Sequence, residues 1–99
     1  MNFMPKRNLL KLSPLPIEAR FALEALGERI TQARKERRLS QREVAEMLGI
    51  SKTTYVSIEH GRDSAQIGHY ARAVWLLDVP GTFLPVPEDD VLALEKGKP

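Results

Sequence analysis

Lys52, Thr53, Val56 and Ser57 recur at the spacing of one outward helix face, and three of the four carry hydrogen-bonding side chains. A short helix with such groups in its first two turns can read base edges in the major groove of a duplex. Lys52 would donate to guanine O6 or N7, whereas Thr53 and Ser57 can pair with more than one base and so discriminate weakly. Val56 would either touch a thymine methyl or stand as a tolerated exposed apolar residue. Arg42 before this face and Arg62 after it suit backbone phosphates, which fix register and add salt-dependent affinity without reading sequence. Catalysis has less to work with. His60, Asp63 and Ser64 are close in sequence, but they span a helix end and a helix cap, which accounts for the Asp and Ser without a reaction. His69 is the other histidine, no cysteine can join it in a metal site, and no glycine-rich phosphate loop is present. No enzyme activity, metal or cofactor is expected.

The elements that must hold this face are legible in SQREVAEMLGISKTTYVSIEHG, residues 40–61. Ser40 with Glu43 is a capping box, so a helix starts at about Gln41. Val44, Ala45 and Leu48 give that helix an apolar face, and Gly49 can take the left-handed conformation that ends it. Ser51 caps a second helix, in which Tyr55 and Ile58 form the inward pair and Gly61 is the stop. Two short helices joined by a glycine turn fit a helix-turn-helix, and equally an ordinary helical hairpin.

The residues themselves carry more than the pattern. SQREVAEMLGISKTTYVSIEHG closely resembles the XRE family, DNA-binding domains of lambda-repressor and Cro type, over about Leu26 to Val79. The resemblance implies that Lys52, Thr53 and Ser57 occupy base-contacting positions. It implies that Gln41 holds a phosphate and can brace the neighbouring reader, with Ser51, Thr54, Arg42 and Arg62 as further phosphate partners. Arg34 matches an Arg that pairs with a Glu near the end of the recognition helix, where Glu59 stands. A structural Arg34 to Glu59 salt bridge is therefore expected. Val56 departs from the small or polar residue common in the family.

Composition bounds the rest. Ninety-nine residues make one domain with tails. The net charge of +2 is too mild to diagnose a nucleic-acid binder, but its distribution is uneven: residues 1–38 carry nine bases and four acids, residues 39–87 four and five, and residues 88–99 two and four. The absence of cysteine rules out a disulfide frame and gives no sign of an oxidising compartment. No apolar run is long enough to span a bilayer and no signal-peptide core is seen, so no membrane role and a cytoplasmic, nucleoid-associated location are expected.

Along the chain, residues 1–16 read as a basic, proline-broken arm, residues 17–79 as the helix-turn-helix domain, and residues 80–99 as a short acidic tail. A helix from about Pro16 to Arg38 carries a Leu23, Leu26, Ile30, Ala33 stripe. Gly27 inside it costs about 1 kcal/mol relative to Ala and leaves open a continuous helix or a break. The run Arg34, Lys35, Glu36, Arg37, Arg38 suits a helix C-terminus and a solvated face. Asp63 or Ser64 would cap a further helix burying Ile67, Tyr70, Ala71, Val74 and Leu77. Trp75 and Leu76 lie off that face and, with Phe83 and Leu84, would form an apolar dimer or partner surface, unless the tail folds back over it. VLALEKG behind Glu88, Asp89 and Asp90 suggests one more short helix. The expected fold is all-α, a compact five-helix domain with a basic arm and an acidic tail.

The flanks SPLPIEARFALEALGERITQARKERR and IGHYARAVWLLDV resemble HipB-type antitoxins, small XRE proteins that pair with a HipA-type kinase toxin and repress their shared operon. That resemblance implies a toxin-antitoxin module. A stand-alone repressor, or an interaction adaptor without specific DNA binding, is the alternative. One motif copy offers few contacts, so specific binding to a double-stranded operator calls for a homodimer, with half-sites about one helical turn apart.

Overall fold

The computed structural model describes residues 14–81, and these hold four helices and no strand. They are α1 (Ile17–Glu36), α2 (Gln41–Leu48), α3 (Lys52–Glu59) and α4 (Ile67–Leu77). Five helices were expected. The two ways to a fifth come out differently: α1 runs unbroken through Gly27, and VLALEKG lies outside the described residues. So do Phe83, Leu84, most of the arm and nearly all of the acidic tail.

Pro16 stands at the cap of α1, where the fixed ring dihedral suits the entry and its carbonyl accepts from the Arg20 amide at 3.0 Å. α1 stops two residues short of Arg38, and the chain then turns through Arg38 in a left-handed conformation (φ 56°). α2 opens on the full capping box: the Glu43 amide donates to Ser40 Oγ at 3.0 Å and the Ser40 amide to Glu43 Oε1 at 2.9 Å. The Ser40 amide, and then the Ser40 hydroxyl, hold the Glu43 carboxyl below its ordinary range. Gly49, at φ 72°, closes α2, and Ser51 Oγ accepts from the Thr54 amide to open α3.

α4 departs from expectation at its start. Neither Asp63 nor Ser64 caps it; a turn occupies residues 62–65, and Gln66 takes the cap position without a side-chain bond. The loop is tied down instead by the Tyr70 hydroxyl, which donates to the Arg62 carbonyl at 2.7 Å. Burial, and then the charge of Asp63, push the Tyr70 hydroxyl pKa up to about 12.

The core is Ile30 and Ala33 from α1, Val44 and Ala45 from α2, Tyr55 and Ile58 from α3, and Tyr70, Ala73, Val74 and Leu77 from α4, closed by Val79. Leu23, Leu26 and Leu48 pack at its edge. In α4 the buried face centres on Tyr70, Ala73, Val74 and Leu77; Ala71 is half-buried and Ile67 is 65% exposed. Ile67 fits the helical period but is the first residue of the helix, one turn short of the buried Tyr70, so it overhangs the core. Leu76 is likewise corrected: it packs half-buried against the core, leaving Trp75, 79% exposed, without it.

One contact in this frame involves backbone alone. A β-carbon on Gly27 would lie 2.8 Å from both the Gly61 amide nitrogen and the Ile58 carbonyl oxygen, and closer still to the Glu59 carbonyl. Gly61, at φ 66°, returns the contact: its β-carbon would meet the Leu23 carbonyl and lie 2.6 Å from Glu24 Cα. α1 therefore crosses the end of α3 at a distance that only glycine on both sides permits.

Candidate nucleic-acid interface

α3 presents two faces with different tasks. Inward, Tyr55 and Ile58 are fully buried and Glu59 nearly so. Outward, Lys52 and Thr53 are exposed, with Val56 and Ser57 half-buried beside them. The Ser57 hydroxyl donates to the Thr53 carbonyl at 3.2 Å, which keeps its lone pairs available on the outer face. Val56 is therefore not the fully exposed residue that one reading of the sequence allowed. Ser51 Oγ donates to Thr54 Oγ1 at 2.9 Å, so these two hydroxyls support each other at the helix start. Arg42 and Arg62 are exposed before and after α3.

Behind the outer face sits one carboxylate shared by three helices. Arg34 of α1 donates through Nε to Glu59 Oε2 at 2.5 Å and through Nη2 to Oε1 at 3.2 Å, while its Nη1 reaches the Leu39 carbonyl at 2.9 Å. Gln41 of α2 donates through Nε2 to Glu59 Oε1 at 2.9 Å. One Gln41 amide N–H is thus committed inward, to Glu59, which leaves the second N–H and the carbonyl oxygen. A fork-on-fork pair with a third donor fixes direction as well as distance. Burial alone would raise the Glu59 carboxyl pKa. The bonds from Arg34 and Gln41, the nearby Tyr55 hydroxyl and the Arg34 charge outweigh it and hold the group below the ordinary carboxylate range. The bond to Glu59, with its charge, raises Arg34 against the smaller effect of its own burial.

This arrangement gives stability a pH dependence. A carboxylate whose folded pKa lies below its unfolded value, about 4.3 for Glu, stabilises the fold fully above that unfolded value. The contribution is then lost as pH falls through the folded pKa. Glu59→Gln should cost about 3 kcal/mol at neutral pH, since it strands a mostly buried guanidinium. In urea melts the gap to wild type should close below about pH 4; a gap that stays constant with pH would show that the charge is not what stabilises. The Tyr55 hydroxyl, fully buried beside the pair, makes no hydrogen bond of normal geometry, and burial pushes its pKa well up.

A cleft of about 240 Å³ runs beside α3, lined by Thr54, Ser57, Ser64, Ala65, Gln66 and His69. Ser64, Gln66 and His69 therefore share a surface with two of the expected DNA-contacting residues. The sequence reading did not place them there, because their approach depends on the loop that swings α4 against α3. Histidine chemistry is otherwise dispersed. Among the described residues no group of three or more His, Asp or Glu side chains could hold a metal ion, and no helix is long and apolar enough to cross a membrane.

No curated protein and no solved structure matches the chain. A family model described as a helix-turn-helix domain matches residues 27–78, from the Gly27 crossing to the residue that closes α4. That match spans just over half of the 99 residues and contains both motif helices, the glycine turn between them and the Glu59 bonds that brace them. The chain belongs to the helix-turn-helix domain family.

Proposed function

We propose that the protein is a sequence-specific regulator of XRE-like type, binding double-stranded DNA with α3 in the major groove. The observation that carries this reading is α3 itself: Lys52 and Thr53 stand exposed at its first turn, with Ser57 beside them, while its other face is locked to α1 and α2 through Glu59. Lys52, Thr53 and Ser57 read bases; Gln41, Arg42, Ser51, Thr54 and Arg62 serve the phosphates. The chain performs no catalysis in this reading.

The finer reading is a repressor that acts as a homodimer on a two-fold operator and pairs with a HipA-type kinase toxin. Its support is the likeness of the flanking segments to HipB-type antitoxins and the exposed Trp75, a residue type enriched at the energetic centres of protein interfaces. The test is a salt titration of the protein on its own upstream DNA against a scrambled duplex of equal length. Preference for its own sequence that survives near-physiological salt is the expected result. Equal and steeply salt-dependent binding to both, or none, would make the motif a scaffold, and Trp75 the place to seek a protein partner.

A further inference from the structure

The basic run that closes α1 divides into cations held by the fold and cations left to solvent. Arg34 is held by Glu59 and the Leu39 carbonyl. Arg37 caps its own helix, donating from Nη1 to the Ala33 carbonyl at 3.0 Å. Lys35 is exposed and makes no side-chain bond among the described residues, but it stands on ordinary helical backbone. Arg38 is different. Its side chain is exposed and makes no hydrogen bond or ion pair among the described residues, and its backbone is left-handed at φ 56°. In that conformation Cβ crowds the carbonyl oxygen, which is why glycine is the usual residue where a helix ends this way. An arginine here gives up that ease, and nothing in the described fold uses its charge in return.

Its position suggests what does. Arg38 lies two residues before Ser40, whose capping box opens α2, and Arg42 is exposed in the first turn of α2. Two cations without a side-chain partner among the described residues thus bracket the start of the helix that packs across the reader. We infer that Arg38 is a further phosphate-contacting residue of the DNA interface, on the backbone flanking the bases that α3 reads. The inference rests on the DNA-binding reading above and extends it to a residue that the motif does not include.

The test compares Arg38→Gly and Arg38→Lys in the full chain, on the protein's own upstream duplex and on a scrambled one, across a range of salt. A phosphate contact adds affinity without sequence preference. Arg38→Gly should therefore weaken binding to both duplexes by the same factor, about 3- to 10-fold near 0.1 M salt, and flatten the salt slope by about 1. Arg38→Lys should restore the slope. Because glycine relieves the left-handed conformation, the thermal midpoint of Arg38→Gly should not fall below wild type, which separates weakened binding from unfolding. Unchanged affinity and slope in Arg38→Gly would overturn the inference. The Lys52→Ala/Ser57→Ala variant in the same titration tells the two readings apart. If it loses preference for the upstream duplex while Arg38→Gly is unaffected, only the role of Arg38 falls; if wild type itself shows no DNA binding, both fall.

Discussion

Gly27→Ala should destabilise the domain by about 3 kcal/mol or more, although alanine is the better helix former. Two effects of opposite sign compete at this position. In mid-helix, exchanging glycine for alanine gains about 1 kcal/mol from backbone entropy. Against that, the new β-carbon would sit 2.8 Å from Gly61 N and Ile58 O, with the Glu59 carbonyl nearer still. These are backbone atoms, so no rotamer change relieves them, and overpacking of this kind typically costs 1–3 kcal/mol, occasionally more. Relief requires α1 to lift from α3, and the Arg34 bonds to Glu59 span that same crossing. The steric loss wins. In a domain with a net stability of roughly 5–10 kcal/mol, a loss near 3 kcal/mol lowers the thermal midpoint by some 10 °C or more. Denaturant and thermal melts of Gly27→Ala against wild type check this; a variant as stable as wild type would mean that α1 and α3 do not cross at this distance.

Lys52→Ala combined with Ser57→Ala has the opposite profile, with binding lost and the fold kept. Neither side chain belongs to the core, and among the described residues the Ser57 hydroxyl bonds only to the Thr53 carbonyl, so the unfolding free energy should move by less than about 1 kcal/mol. A good side-chain-to-base contact is worth about 1–3 kcal/mol of discrimination, which Lys52 can supply, whereas Ser57, which pairs with more than one base, contributes about 1 kcal/mol. Losing two should therefore reduce preference for the upstream duplex by roughly 30-fold to 1,000-fold while leaving much of the non-specific, salt-dependent affinity in place. Preference retained in a folded double variant would remove α3 from the role of reader.

What the residues by themselves made legible was whatever depends on near neighbours in the chain; the distant Arg34 and Glu59 pair was expected from the family resemblance alone. The Ser40 and Glu43 box, the Gly49 stop, the Ser51 cap and the inward pair Tyr55 and Ile58 are each decided within one or two turns, and the structure has them all. What was not legible depends on meetings between distant segments. Gly27 looked like a flaw in a helix, because its reason lies more than thirty residues away at Gly61. Ile67 fits the apolar period of α4 but falls beyond the edge of the core, an edge set by the other three helices. Asp63 and Ser64 offered good capping chemistry, yet the turn at residues 62–65 and the anchoring of the Arg62 carbonyl by Tyr70 put the helix start at Ile67. In the candidate interface, the outward residues of α3 followed from helical spacing, whereas the company of Ser64, Gln66 and His69 required the fold. Arg38 was hidden in a charge run, and only its left-handed backbone sets it apart from its neighbours.

Glu59 separates grammar from vocabulary. Three helices meet at the carboxylate of Glu59, the buried last residue of α3, so how α3 is held is set by Arg34, Gln41 and Glu59, whereas Lys52, Thr53 and Ser57 share no bond with them. On the DNA-binding reading proposed above, new operator preferences are reachable by rewriting three or four outward positions of one eight-residue helix, each step starting from a folded, correctly aimed domain. A change at Glu59 has no such neutral path, because it alters the aim for every operator at once.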